Sequence, residues 1–112
     1  MKYAFFVILE DNPNEQKVID EISNQGVEAT LIPSSSLKGK FFANNTEPSP
    51  MFGGLRTIIN DELLGHTIIL MRVEEDRIQD IKNLIMQTTE NFTKVKGAMF
   101  ALETIFFEGK LD

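Results

Sequence analysis

The chain contains no cysteine and no tryptophan, and it has a single histidine, His66, among its 112 residues. The absence of cysteine excludes disulfides, thiolate metal sites and cysteine nucleophiles. A metal site or a Ser–His–Asp set would have to use His66, which has no partner at ligand spacing. A glycine-rich dinucleotide fingerprint is also missing. We therefore predict a protein that is not an enzyme and that holds no cofactor and no metal.

Basic residues and long apolar runs are also scarce. Lysine and arginine number 11 against 17 aspartate and glutamate residues, and the formal net charge is −6. Binding to a nucleic-acid polymer is not expected, because it depends on a basic surface. The first apolar run, Tyr3 to Leu9, is far shorter than the roughly 18 residues that cross a membrane. It meets Glu10 without a cleavage site for a leader peptide. The prediction is a cytoplasmic protein with no membrane insertion.

Four stretches rich in aromatic and β-branched residues predict β-strands. These stretches are Tyr3 to Leu9, Val27 to Ile32, Thr67 to Val73 and Met99 to Phe107. The first and third are apolar at nearly every position, which is typical of central strands. The second carries Glu28 and Thr30, so we expect it at an edge of the sheet.

One helix is predicted between the strands of each pair. The first is expected to begin at Asn12, with Glu15 completing a capping-box spacing, and to end at Gly26. The second repeats that spacing with Asp76 and Gln79. The order β-α-β-β-α-β predicts a ferredoxin-like α+β sandwich over residues 1–112, as a single domain. Its four-stranded antiparallel sheet would carry both helices on one face.

The second face of this sheet poses a packing problem. An antiparallel sheet with one wet face should alternate apolar and polar residues, but the first and third strands are apolar on both faces. A patch of that size rarely stays exposed in a monomer. We therefore predict a homo-oligomer whose subunits cover the second face of one another.

The segment from Pro33 to Gly65 separates the two halves and is about twice the length, roughly 12–15 residues, above which loops without structure of their own are uncommon. Its first residues combine hydroxyl groups with positive charge, in Ser34, Ser35, Ser36, Lys38 and Lys40. A flexible backbone with such side chains can hold an anion or a phosphate. A solvated loop without a ligand is the alternative. A small anionic ligand is the prediction.

Three further residues are candidates for this ligand site. Thr30 lies upstream on the second strand, and Lys94 and Lys96 lie in the polar loop before the fourth strand. The two lysines would join the site if subunits pack closely.

Apolar residues inside the long segment suggest a second role. They are Phe41, Phe42, Met51 and Phe52. Flexible loops normally avoid such residues, so these side chains are predicted to dock on a partner protein. Packing against the edge of the sheet is the alternative.

The order of elements and the position of the long segment resemble those of PII-type signal proteins and their PII-like relatives, across essentially the whole chain. Within this superfamily the nearest similarity is to the PII-like cyclic-di-AMP receptors of Gram-positive bacteria. Asn24, Ala29, Thr30 and the stretch to Leu37 run parallel to that family's N-x-x-x-R-A-T segment and its T-T-G-G-F-L loop start. Two ligand features have diverged: Glu28 stands in place of an arginine, and three serines replace the glycine–phenylalanine turn.

This resemblance implies a homotrimer that binds a small ligand, such as a nucleotide, at the clefts between subunits. It also implies a regulatory role in which the long loop signals to a protein target that the sequence does not identify. Two alternatives remain open. One is a trimer without a ligand that docks a partner through its aromatic loop. The other is a metal-binding trimer of the cation-tolerance type, using His66 and acidic side chains.

Overall fold

A computed structural model of the chain describes residues 1–35, 37 and 65–112. Its strands are β1 (Lys2–Glu10), β2 (Glu28–Ser34), β3 (His66–Glu74) and β4 (Gly97–Glu103), and its helices are α1 (Glu15–Ser23) and α2 (Ile78–Thr88). The strands form one antiparallel sheet in the order β2-β3-β1-β4. The predicted ferredoxin-like α+β architecture is confirmed, with β1 and β3 in the middle of the sheet.

The core lies between one face of the sheet and the two helices. Alternate residues of the central strands point into it and are buried, as are Val18 and Ile22 of α1 and Ile81 and Ile85 of α2. The contributing strand residues are Phe5, Val7, Leu9, Ile69, Met71 and Val73. Both helices therefore cover the same face, because their apolar sides meet the same set of strand residues.

The helix starts differ from the predicted capping boxes, and that part of the prediction was wrong. The α1 helix begins at Glu15, after a turn in which the side chain of Asn12 accepts a hydrogen bond from the Asn14 N–H at 2.8 Å. Before α2, Glu75–Arg77 form a turn of 3₁₀ helix. Gln79 donates to Asn83 at 3.0 Å instead of reaching back to the cap.

The fourth strand is shorter at its C-terminal end than predicted. It ends at Glu103, and Thr104 gives both its backbone N–H and its hydroxyl to the carbonyl of Lys2, at 3.1 and 2.9 Å. The strand stops there because its neighbour β1 begins at Lys2 and offers no further backbone partner. The residues after Glu103 form a tail, residues 104–112, which leaves the sheet.

Gly97 begins β4 at a point where the backbones of β1 and β4 approach closely. A Cβ atom on this residue would overlap the carbonyl oxygen of Ile8. We expect Gly97→Ala to lower the free energy of unfolding by about 1–3 kcal/mol, since backbone must move to make room. Gly65→Ala is the matched comparison, because the nearest atoms to its Cβ would belong to the side chain of Asp11 and not to backbone. Urea denaturation of both variants tests this, and an equal loss at the two glycines would contradict it.

The tail covers part of the second face of the sheet. It leaves β4 at Thr104, places the ring of Phe107 over the guanidinium of Arg72 at 4.5 Å, and reaches Glu28 on β2 through Leu111. The tail thus crosses from one edge of the sheet to the other at the end where β1 begins. The chain itself therefore covers this end of the face, and cover of the remainder by another subunit stays a prediction.

The remainder of the second face stays apolar and open within the described part of the chain. Phe6 stacks on Phe100 with ring centroids 4.9 Å apart, and Ile8 and Ile68 form a cross-strand pair nearby. Phe100 and Leu102 remain exposed. An exposed apolar surface of this kind favours association with another molecule.

Candidate functional site

The residues that flank the long segment lie at one end of the sheet. The register pairs Glu10 and Ser34 with His66, and it pairs Leu9 with Gly97. The end of β1, the end of β2, the start of β3 and the start of β4 therefore lie side by side. We call this the loop end, defined by residues 10–12, 34–35, 65–67 and 94–97.

Hydrogen bonds fix the first part of the loop end. The N–H of Asp11 donates to the carbonyl of Gly65 at 3.0 Å, and the hydroxyl of Thr67 lies 3.5 Å from the Asp11 carboxylate. The start of β3 is therefore held against the residues that follow β1.

A second set of hydrogen bonds holds the start of β4. The N–H of Glu10 donates to the carbonyl of Lys96 at 3.0 Å, and the carboxylate of Glu10 accepts from the N–H of Lys96 at 3.3 Å. The side chain of Asn12 donates to the carbonyl of Lys94 at 3.3 Å. These contacts engage the backbone of both lysines and leave their side chains exposed to solvent.

His66 contains an unsatisfied polar atom at this end. Its Nδ1 is buried and has no hydrogen-bond partner among the residues that the structure describes. Buried polar atoms nearly always have a partner, so an unpaired one calls for an explanation. His66 is half-buried and sits directly opposite Ser34 in the strand register. The base of the long segment thus contains one unpaired imidazole nitrogen, on the residue that faces Ser34 in the strand register.

The predicted ligand residues are only partly brought together. Ser34 is half-buried at the end of β2, and Ser35 is exposed beside it. Thr30 pairs with Leu70, four positions along the strand, or about 13 Å from Ser34. The other predicted residues of the segment lie outside the described residues; they are Ser36, Lys38, Lys40, Phe41, Phe42, Met51 and Phe52.

The two lysines of the second loop lie at the opposite edge of the sheet from the serines. In the order β2-β3-β1-β4, the end of β2 and the start of β4 are three strand spacings apart, or about 14 Å. Lys94 lines a groove of about 350 Å³ between the helices, with Lys17 and Glu21. Within one subunit, Lys94 and Lys96 do not join Ser34 and Ser35.

The loop between α2 and β4 has an unusual backbone. Glu90, Asn91 and Phe92 follow one another with φ of 52°, 59° and 61°, a region that residues other than glycine rarely adopt in succession. The buried hydroxyl of Thr89 accepts from the N–H of Phe92 at 3.1 Å and holds the turn. The N–H groups of residues 90–94 all have protein acceptors. This loop can therefore offer an anion the Lys94 side chain but no free backbone N–H.

Glu28 has a structural partner that the sequence did not reveal. Its carboxylate lies 3.3 Å from the guanidinium of Arg72, and its other oxygen accepts from the N–H of Leu111 at 2.6 Å. The carboxylate that stands in place of the receptors' arginine is thus neutralised by Arg72 and bound by the tail. Arg72 is the one charged residue within the apolar stretch Thr67 to Val73. That isolated charge was the sequence feature that could have indicated a carboxylate partner on a neighbouring strand.

A small apolar cavity lies between the tail and the sheet. Its volume is about 140 Å³, and its walls include Ala4, Phe6, Leu70 and Phe107. Tyr3 stands at this end, where burial first and the carboxylates of Glu75 and Glu103 second raise the pKa of its phenol above the ordinary value. The phenol therefore stays protonated at neutral pH and remains a hydrogen-bond donor.

The structure gives no support for a metal centre in the part of the chain that it describes. Within residues 1–35, 37 and 65–112, no three His, Asp or Glu side chains are grouped closely enough to hold an ion. The carboxylate of Glu74, which begins the acidic run Glu74 to Asp76, lies 3.9 Å from the ammonium of Lys2. No described helix is long and apolar enough to cross a membrane.

Comparison with known proteins gives the fold without a function. No protein-family model matches the chain, and none of the curated proteins does. Among solved structures, the chain is similar to a functionally unknown protein from Pediococcus pentosaceus ATCC 25745, with 14% identity, a TM-score of 0.57 and 96% of each chain covered. At that identity the similarity establishes a shared α+β fold over nearly the whole length of both chains.

Proposed function

We propose that the protein is a non-enzymatic regulatory protein of the PII-like type. It would act as a homotrimer that binds a small anionic ligand at the clefts between subunits. The observation that carries this proposal is the loop end. There Ser34 is paired with His66 in the strand register, Ser35 follows it, and the Nδ1 of His66 has no hydrogen-bond partner among the described residues.

The chemistry of the loop end supports binding rather than catalysis. Hydroxyl and imidazole groups can donate to phosphate or carboxylate oxygens, and the exposed ammonium groups of Lys94 and Lys96 can supply positive charge. Glu28 does not oppose an anion in this proposal, since Arg72 neutralises it on the distant part of β2. Ligand binding at the base of the segment would change the contacts of the long loop with a target protein.

A thermal-shift series tests the ligand. The wild-type protein would be heated with ATP, with a cyclic dinucleotide and with inorganic phosphate, each over a range of concentrations. A ligand at one hundred times its Kd stabilises the native state by about 2.7 kcal/mol, which raises the melting temperature by several degrees for a domain of this size. We expect at least one nucleotide to do so.

Variants connect that shift to the loop end. Ser34→Ala and Lys96→Glu should each remove most of the stabilisation by the nucleotide. Lys82→Glu is the matched control, because Lys82 is exposed on α2 and away from the loop end. If no nucleotide shifts the melting temperature, or if Lys82→Glu is as damaging as Lys96→Glu, the ligand part of the proposal is overturned.

A further inference from the structure

The cavity between the tail and the second face of the sheet is large for a chain of 112 residues. Its volume is about 140 Å³, whereas voids larger than a water molecule are few in a natural domain. The sheet contributes Ala4, Phe6 and Leu70 to its wall, and the tail contributes Phe107 and Leu111. An empty space of this size leaves these apolar side chains without contacts on one side, which favours an occupant.

The polar groups that border the cavity are engaged elsewhere. Thr104 gives its N–H and its hydroxyl to the carbonyl of Lys2. The ammonium of Lys2 lies 3.9 Å from Glu74, and the guanidinium of Arg72 lies 3.3 Å from Glu28. A buried water makes about three hydrogen bonds to polar groups that would otherwise be unpaired. These walls therefore suit an apolar occupant better than water, and both cations are paired with carboxylates rather than free for an anion.

We propose that this cavity is a binding site for one small, uncharged apolar molecule, about the size of a single aromatic ring. An apolar cavity of about 150 Å³ stays free of water and binds benzene, and the volume here is nearly the same. Tyr3 also borders the cavity, but its side chain lies on the helix-covered face with Phe5, because the residues of a strand alternate between faces. Its hydroxyl therefore does not call for a polar ligand.

The tail is held to the sheet at its two ends and allows entry between them. The hydrogen bonds of Thr104 hold one end, and Leu111 donates to Glu28 at the other end, at 2.6 Å. In the described part of the chain, no backbone–backbone hydrogen bond joins residues 105–110 to the sheet. A displacement of the Phe107 ring therefore opens the cavity without breaking either end contact.

This site is separate from the anion site of the proposed function. Ala4 precedes Glu10, which lies at the loop end, by six positions on β1, or about 20 Å. The wall of the cavity contains none of the residues that define the loop end. The two sites are therefore independent, and either can exist without the other.

An NMR titration of the full chain with toluene tests the site. Toluene is an uncharged single ring, and we expect it to shift the resonances of Ala4, Leu70 and Phe107 in a saturable way, since these residues line the cavity. Benzoate carries a carboxylate in place of the methyl group. It should bind more weakly by about tenfold or more, because burial of an unpaired charge is unfavourable.

A matched pair of variants locates the bound probe. Ala4→Leu places a larger side chain in the cavity, where it occupies the space that the ring needs, so the affinity for toluene should fall by about tenfold or more. Ala98→Leu makes the same chemical change on the same face of the sheet. Ala98 is exposed opposite Ile8 and outside the wall of the cavity, so its substitution should leave the affinity unchanged.

Three results would overturn the proposal. The first is a wild type in which toluene gives no saturable shifts, and the second is an equal affinity in the wild type and Ala4→Leu. The third is an equal loss in Ala4→Leu and Ala98→Leu, which would place the probe on the open part of the face. Equal binding of benzoate and toluene would overturn the assignment to an uncharged ligand.

Folding is checked in the same spectra. Ala4→Leu fills an existing space, so its spectrum should keep the dispersion of the wild type. If that variant is unfolded, Ala4→Val adds less volume at the same position and should still weaken the binding of toluene several-fold. Toluene binding without a nucleotide response would leave this site standing and overturn the anion site. A nucleotide response without toluene binding would do the reverse.

Discussion

Leu9→Ala is expected to lower the free energy of unfolding by about 3–5 kcal/mol, a large effect for a single side-chain truncation. Leu9 has an exposure of 0% and is among the largest fully buried side chains. It lies on central strand β1, whose neighbours on both sides leave little freedom to fill the space. Truncation therefore removes apolar contacts and leaves a cavity, and both effects destabilise the native state. Urea denaturation with a shared slope measures the change.

Leu37→Ala provides the matched control for that measurement. The chemical change is identical, but Leu37 is 86% exposed. Its truncation should change stability by less than about 0.5 kcal/mol, as surface substitutions usually do. Similar losses at Leu9 and Leu37 would show that the core does not lie between the β1 face and the helices.

The order and roles of the strands could be predicted from the sequence because burial leaves a direct pattern. A stretch such as Tyr3 to Leu9 is apolar at every position only when both of its faces avoid water, and that marks a central strand. In β2, apolar residues alternate with Glu28 and Thr30, so only one face of the strand is apolar. That pattern is typical of an edge strand. Strand order follows from these constraints together with the rules of chain connection.

The end of β4 could not be predicted, because the length of a strand depends on its partner. The sequence from Met99 to Phe107 is apolar throughout except for Glu103 and Thr104. Nothing within it shows that β1 begins at Lys2 and that pairing must stop opposite that residue. The apolar residues that suggested a longer strand have other positions. Phe107 lies over the guanidinium of Arg72, and Ile105 and Phe106 are exposed.

The candidate site was predicted in its residue types but not in its geometry. Hydroxyl groups followed by lysines suggested an anion site, and Ser34 and Ser35 do lie at the base of the long segment. The separation of Ser34 from Lys96 follows from strand order, which puts β2 and β4 at opposite edges. The unpaired Nδ1 of His66 depends on burial in three dimensions, so no local sequence pattern could show it.

Arg72→Met is expected to release the C-terminal tail and to lower the free energy of unfolding by about 1–3 kcal/mol. The substitution removes the ion pair with Glu28 and the contact with the ring of Phe107. It leaves the Glu28 carboxylate without its cation in a site where that side chain is 20% exposed. Breaking a fully buried pair costs about 3–5 kcal/mol, and the partial exposure here reduces that figure. Amide hydrogen exchange at Leu111 should become much faster.

Glu28→Gln separates the effect of the ion pair with Arg72 from the effect of the hydrogen bond with the N–H of Leu111. Glutamine keeps the shape and a carbonyl oxygen that can accept from the N–H of Leu111, but it removes the ion pair with Arg72. We expect Leu111 to stay partly protected in this variant and to be more protected than in Arg72→Met, because the ring contact of Phe107 survives. The double variant should lose less stability than the sum of the two single losses, since the residues share one interaction. Unchanged exchange at Leu111 in Arg72→Met would show that the tail is held by contacts other than this arginine.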